Sequence, residues 1–445
     1  MTAFPLPEKV RYILERLSGA GYEAYAVGGC VRDMLLGRAL HDWDICTAAL
    51  PDETRAVFAD GDVRDTGLRH GTVTLILGRE PFEITTFRVD GQYSDSRRPD
   101  SVTFTKSIRE DLRRRDLTIN AMAYSPRDGL VDPFGGQKDL AAGVLRCVGD
   151  PGARYTEDAL RILRTLRFRA RLGFSVEPET DRTLRNLSDR LRYIAPERIK
   201  AELEGMLTGP YILGTLLDYP DVLGVVIPEI TPCVGFSQLN PYHIYDVWEH
   251  TAHSVENIAP EPLLRWTMLL HDLGKPPCFS AEGEGTKGHF YGHGKVSAAL
   301  ADGIMSRLRF SNGEHALIRE LVETHDRFIP PTPRGVRREL ARMGREQFFR
   351  SIEVCIADVN AQNPVYGPER IEEMALIRRL AEDILAADEC MSLKDLAVNG
   401  RDLLALGYAA GPAVGAELDK LLRLVIDEPE KNTRETLLAV ARADM

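Results

Sequence analysis

Two aspartates in Tyr25–Thr47, YAVGGCVRDMLLGRALHDWDICT, carry the most chemistry per residue in this chain. Asp42 and Asp44 flank Trp43 just before Ile45. On a strand, alternate side chains share a face, so both carboxylates would point the same way. Two hard oxygen donors on a rigid element suit a divalent cation that still has coordination sites for phosphate and water. Fourteen residues earlier Gly28 and Gly29 precede a short helix carrying Arg32 and Asp33. Without Cβ atoms, their backbone can approach an anion closely. Either feature alone is usually a turn; together they suggest a metal–phosphate site.

A strand-like run must lead into the glycine pair and another must carry the aspartates. Tyr25–Val27, Trp43–Cys46, Thr72–Leu77 and Phe82–Phe87 are the candidate strands, with Val102–Thr105 and Ile119–Ala123 as weaker ones. An amphipathic helix precedes them, giving an α+β head. Past Gly149–Gly152 the pattern switches to helices and stays helical.

The glycine pair with its D-x-D resembles the signature of the DNA polymerase β nucleotidyltransferase superfamily. The GGCVRD version is similar to class II tRNA nucleotidyltransferases and bacterial poly(A) polymerases. Leu112–Tyr124, LRRRDLTINAMAY, matches that family's R-R-D-x-T-I-N-A motif, so Arg115 and Asp116 are expected to meet a phosphate and a ribose hydroxyl. DPFGGQKDL, Asp132–Leu140, resembles the turn between head and neck and reads as a hinge.

In YTEDALRILRTLRFRARLGF, Thr156 reads as an N-cap, with Glu157 and Asp158 in the first turn. Leu160, Leu163 and Leu166 form an apolar stripe, and Arg161, Arg164 and Arg167 a basic one. Glu157 and Asp158 could simply pair with Arg161 along the helix. Asp158 beside Arg161 also offers an acceptor next to a fork of donors. Cytosine and adenine each present an amino N–H beside ring acceptors and match that edge, whereas uracil and guanine present the reversed order. The motif E-D-x-x-R-x-x-R is similar to the one class II enzymes use for this purpose, which implies nucleotide binding by Gly29, Arg32, Arg115, Asp158, Arg161, Arg164 and Arg167. APERIKAEL, Ala195–Leu203, resembles a further family motif and reads as core rather than chemistry.

The window 241–330 gathers most of the ten histidines. His250, His271, Asp272 and Asp326 follow the H…HD…D order of an HD domain, with His253 and His325 as rivals for the first and last positions. Such a set could bind one or two divalent metals and activate water against phosphate esters.

At 445 residues, two to four domains are expected. The resemblance implies a nucleotidyltransferase head over 1–140, a helical neck for nucleobase selection over 141–205, a helical body with an HD-type metal domain over 206–330, and a helical tail binding tRNA over 331–445. Net charge is −11, against a protein coated in nucleic acid, yet Arg146–Lys200 carries thirteen Lys and Arg against eight Asp and Glu. A basic segment on an acidic chain suggests a confined polyanion site. No apolar run approaches a membrane span, no signal-peptide pattern opens the chain, and seven scattered cysteines form no C-x-x-C. The expectation is a cytoplasmic protein.

The resemblance therefore implies Mg²⁺-dependent addition of C, C and A to the 3′ end of tRNA from CTP and ATP, with pyrophosphate released and a second divalent metal in the HD domain. Three alternatives stay open at this level: an A-adding, CC-adding or poly(A)-polymerase relative, an HD-type phosphohydrolase as the main activity, and a non-catalytic tRNA-binding protein. The retained loop Arg88–Ser101, with Arg97 and Arg98, counts against CC-only addition.

Overall fold

A computed structural model describes residues 6–38, 42–91, 102–281 and 287–445. The chain divides into two compact units, Met1–Pro228 and Glu229–Met445. No helix among the described residues is long and apolar enough to cross a membrane.

In the first unit, helix α1 (Glu8–Gly19) buries Val10, Ile13, Leu14 and Leu17, the i, i+3, i+4, i+7 stripe of a helix lying on a sheet. The described strands of that sheet are β1 (Ala24–Val27), β2 (Ile45–Thr47), β3 (Asp62–Gly67), β4 (Thr72–Leu77) and β5 (Glu80–Thr86), followed by two more after a separate pair. That pair is β6 (Arg88–Asp90) with β7 (Val102–Phe104), antiparallel. Strands β8 (Ala123–Ser125) and β9 (Gly129–Val131) complete the sheet, in the order β3-β4-β5-β2-β1-β8-β9. Only β2–β5 is parallel, so the sheet is mixed as expected. The arginine-bearing part of the Arg88–Ser101 loop lies outside the described residues.

Two sequence expectations shift here. Strand β2 begins at Ile45, so Asp42–Asp44 lies just before the strand rather than in it. Its register is still fixed, because the Val27 N–H donates to the Asp44 carbonyl at 3.0 Å. The span Ile119–Ala123 is a buried 3₁₀ turn, Thr118–Asn120, that delivers the chain into β8.

Helices α2 (Gly29–Leu35), α3 (Pro51–Val57) and α4 (Ile108–Arg113) decorate the sheet, and α5 (Gly136–Ala142) turns the chain out of it. The Asp132 carboxylate accepts the Gly136 and Gln137 N–H groups at 2.7 and 2.9 Å. A Cβ on Gly136 would collide with the Thr118 carbonyl and the Met122 side chain. This segment is a packed corner rather than the expected hinge.

After the short parallel pair β10 (Val144–Leu145) with β11 (Ser175–Val176) come α6 (Pro151–Glu157), α7 (Leu160–Leu172), α8 (Pro178–Asn186) and α9 (Pro196–Leu207). Helix α7 buries Leu160, Leu163 and Leu166 and packs on α9. The next two helices, α10 (Ile212–Asp218) on α7 and α11 (Pro220–Val226) against the 3₁₀ segment Ser188–Tyr193, stay with this unit.

The second unit is helical. Helices α12 (Val247–Glu256), α13 (Pro262–Leu270), α14 (Lys275–Cys278), α15 (His293–Arg307), α16 (Asn312–Thr324), α17 (Pro333–Met343), α18 (Arg345–Asn360) and α19 (Gly367–Ala386) precede α20 (Gly400–Leu406), α21 (Pro412–Asp427) and α22 (Arg434–Ala443). The last three share a small core around Leu403, Leu421, Val425 and Leu437. Gly407 caps α20 in the left-handed conformation, and Gly411, at φ 107°, ψ −138°, leads into α21.

Gly136→Ala should destabilise the first unit by about 1–3 kcal/mol through overpacking against backbone that cannot retreat. A fall in its thermal midpoint checks this; an unchanged midpoint would return the segment to the hinge reading.

Candidate active site and a buried histidine–aspartate cluster

A cavity of about 470 Å³ in the first unit brings the glycine turn, the RRD block and α7 together. Seven arginines and three aspartates, Asp44, Asp116 and Asp158, line it. Such a positive excess in a walled concavity suits a polyanion. Gly28 sits at φ 81°, ψ −127°, a conformation open to glycine, and a Cβ there would lie 2.9 Å from an Arg115 guanidinium nitrogen. The missing side chain therefore lets Arg115 lie over the turn.

Most of these arginines are already held by carboxylates. Arg115 meets Asp111 at 3.3 Å, and Arg32 binds Asp33 at 2.7 Å and Asn120 Oδ1 at 2.7 Å. Arg161 binds Glu157 at 2.8 Å and the Arg114 carbonyl at 2.9 Å. Arg167 pairs with Glu202 at 2.6 Å. The Phe168 ring supports the guanidinium groups of Arg32, Arg164 and Arg167 at 5.0, 5.8 and 4.8 Å from its centroid.

Asp116 has a different place from the one its motif suggests. Its Oδ1 accepts the Leu117 N–H at 2.8 Å and the Asn120 amide at 3.1 Å, while Oδ2 accepts from Arg164 at 2.7–2.8 Å. Both oxygens are engaged inside the protein, leaving little for a ribose hydroxyl. Burial alone would raise this carboxyl; the Arg164 charge and these hydrogen bonds outweigh it and hold it well below the usual carboxylate range.

The helix carrying Arg161 does not start at Thr156. Helix α6 ends at Glu157, Asp158 is extended, and its carboxylate accepts the Leu160 N–H at 3.0 Å as α7 begins. Of the two helical pairs expected, Glu157–Arg161 forms. Asp158 instead pairs with Arg198 at 2.8 Å, from the ERIK segment read as core. Arg198, Asn120 and Phe168 all line the cavity. The exposed-looking E-R of Ala195–Leu203 was the one sequence signal for Arg198.

Asp44 also borders a second, wider cavity that it shares with Asp42 and Trp43. Both aspartates are solvent-accessible, and among the described residues neither carboxylate has a hydrogen-bond or ion-pair partner. Desolvation by the surrounding protein raises the Asp44 carboxyl, Arg115 opposes that rise and Asp42 adds to it. Two accessible carboxylates without a protein partner among the described residues, with Asp44 raised in part by Asp42, are a donor set that fits a divalent cation.

In the second unit, ligand atoms of His250, His271, Asp272 and Asp358 lie within 4.8 Å of one another, and a second group joins Asp272, His293 and His325. The fourth position expected for Asp326 is thus taken by Asp358. Asp326 stays 52% exposed, 3.8 Å from the outer nitrogen of His293, because it follows the end of α16 and points outward. Asp358 sits inside α18, with no local motif to mark it. His253, the rival first ligand, stacks on Tyr245 instead.

Three family models match: the poly A polymerase head domain over residues 24–146, the RNA and SrmB-binding site of polymerase A over 173–233, and tRNA nucleotidyltransferase domain 2 over 297–441. The chain is 47% identical to a CCA-adding enzyme of Geobacillus thermodenitrificans, over 96% of this chain and 94% of that protein. It is 33% identical to one of Lactobacillus helveticus, over 96% and 95%. The fold matches the crystal structure of the Bacillus stearothermophilus CCA-adding enzyme in complex with CTP, with a TM-score of 0.71, 27% identity, and coverage of 98% and 97%.

Asp116→Asn should destabilise the first unit by about 1–3 kcal/mol at neutral pH by leaving Arg164 short of its partner. A carboxyl held low stabilises the fold above its unfolded value, near 3.9, and loses that contribution as pH falls toward the folded value. The gap between wild type and variant in denaturant titrations should therefore shrink below about pH 4; a gap independent of pH would contradict the assignment.

Proposed function

The chain belongs to the CCA-adding enzyme family, and from that premise we propose how its own residues carry the addition of C, C and A to the tRNA 3′ end from CTP and ATP. The observation that carries the reading is the arginine-lined cavity in which Asp44, the glycine turn and the Asp158–Arg161 edge meet. The comparisons favour this transferase activity over a phosphohydrolase as the main one.

Asp42 and Asp44 would hold Mg²⁺, which when bound supplies charge neutralisation for the triphosphate and a more acidic primer 3′-hydroxyl. The hydroxyl loses its proton to solvent as its oxygen bonds to the α-phosphorus, the bond from that phosphorus to the α–β bridging oxygen breaks, and pyrophosphate leaves. The Gly29 N–H with Arg32 and Arg115 holds triphosphate and sugar, and the fixed guanidinium groups keep their alignment while charge moves to the leaving group. Phe168 braces Arg32, Arg164 and Arg167 from one side.

Asp158 and Arg161 select the base. Arg198 holds Asp158 and Glu157 holds Arg161, so pairing with a C or A edge would exchange those partners for the base. Uracil or guanine would set Arg161 against an N–H and Asp158 against a carbonyl, leaving buried polar groups unpaired. The basic neck and the helical tail hold the tRNA backbone by shape and phosphate, a role supported by the RNA-binding match over 173–233. The His250, His271, Asp272 and Asp358 donors fit a further divalent cation. Seven free thiols, six of them buried, support a cytoplasmic setting.

Incubation with tRNA transcripts ending before C, after C and after CC, with each nucleoside triphosphate offered separately, tests the reading. Ordered incorporation of C, C and A is expected; addition of A alone, or runs of A, would replace it with an A-adding or poly(A) reaction. Asp42→Ala should lower addition by roughly 100-fold or more, and addition at the wild-type rate would remove the aspartates from the site. Arg161→Ala should raise incorporation of U and G relative to C and A more than it weakens tRNA binding in a filter assay. Unchanged nucleotide preference would sink the base-selecting role.

A further inference from the structure

On the reading of Asp158 and Arg161 as the base-selecting edge, we propose that Arg198 couples base recognition to phosphate binding. An incoming base that takes Asp158 frees the Arg198 guanidinium for a phosphate oxygen in the same cavity. Arg198 stands in an unfavourable place for a cation. It lies in the first turn of α9, two residues after Pro196, where the helix dipole presents its positive end and no side chain caps the free N–H groups. What holds it there is Asp158, forty residues upstream, whose Oδ2 accepts from Arg198 Nη2 at 2.8 Å.

This contact sets Arg198 apart from the other arginines of the cavity. Those lean on Asp33, Asp111, Asp116, Glu157 and Glu202, carboxylates with no part in choosing the base. Arg198 alone among them depends on a carboxylate that the substrate claims. Among the described residues its side chain has no other hydrogen-bond or ion-pair partner, and its second terminal nitrogen, Nη1, is buried without an acceptor.

When the amino N–H of cytosine or adenine takes Asp158 Oδ2, the other carboxylate oxygen stays on the Leu160 N–H at 3.0 Å. Arg198 then loses its acceptor while its side chain, only 25% exposed, stays in the cavity wall. A guanidinium with two unserved nitrogens in such a place is disfavoured unless another anion replaces the carboxylate. The anions that nucleotide and primer bring are phosphate oxygens, which match the planar donor fork of arginine. Uracil behaves differently. It sets a carbonyl against Asp158, so the carboxylate keeps Arg198 and the phosphate goes without that donor. A wrong base is therefore disfavoured twice, once at its own edge and once at a phosphate.

Full-length Arg198→Met, which keeps the length of the side chain and removes the fork, gives the test on tRNA ending before C. Its preference for CTP over UTP, taken as the ratio of kcat/KM values, should fall roughly tenfold or more, and Arg198→Lys, which retains the charge, should recover part of it. Arg198→Gln is read the same way if the methionine variant does not fold. A raised KM for CTP assigns the phosphate to the incoming nucleotide, and a raised KM for tRNA assigns it to the primer end. Asp158→Asn releases Arg198 for every base, so its gain in UTP incorporation should disappear when Arg198→Met is added; a gain that survives would overturn the coupling. Equal losses for CTP and UTP would make Arg198 an uncoupled phosphate donor, and a higher efficiency with CTP would make it only a competitor for Asp158; either result overturns the proposal. A changed nucleotide preference in Arg161→Ala with none in Arg198→Met would remove the coupling and leave the base-selecting edge standing, whereas unchanged preference in both would remove the edge itself.

Discussion

Much of the first unit hangs on the contact between Asp116 and Arg164. It joins the segment that follows α4 to the middle of α7, two pieces of chain 48 residues apart. Its surroundings reinforce it: the Asp116 carbonyl accepts the Val148 N–H at 3.0 Å, and the Thr118 N–H donates to the Arg146 carbonyl at 2.9 Å. A buried pair of this kind adds little net stability over an apolar substitute, but it tolerates only one geometry. The arginine rows on either side thereby keep one register. Asn120 extends the constraint, donating to Asp116 through its amide and accepting from Arg32 through its carbonyl.

This gives the cavity a pre-ordered lining. Its positive groups are held in place by carboxylates rather than waiting in solvent, so the cost of ordering long side chains is met during folding. A triphosphate entering such a cavity meets donors that already point inward. Base selection is the exception, because Asp158 and Arg161 each have a partner to surrender.

The sequence carried the head well. The strand-like runs and the glycine pair lead to β1, β4, β5 and the cavity, and the D-x-D lies just before β2, because local spacing and backbone chemistry decide them. Arg115, Asp158 and Arg161, taken over from the family resemblance, all line that cavity. What could not be read was pairing at a distance. Asp158 has an arginine three residues away and prefers one forty residues away, since the chain breaks between α6 and α7 and turns its carboxylate toward α9. Asp116 has a binding motif and spends both oxygens on the fold. Asp326 has the right order for a metal ligand, but the end of α16 points it outward, and Asp358, unmarked within a helix, occupies the place.

The histidine cluster has an outer shell made of main chain, since each of its four rings turns Nδ1 to a backbone carbonyl. Three of its four carbonyl partners sit three residues upstream of the histidine they orient, and two of those histidines, His271 and His325, stand at the C-terminal ends of α13 and α16, where such carbonyls lack helical partners. Any amino acid at Met268, Phe290 or Val322 would present the same oxygen. The aim of these rings is therefore insulated from mutation at the residues that set it. Replacing one of the rings or carboxylates would therefore change the donor set while leaving the main-chain socket with its shape intact.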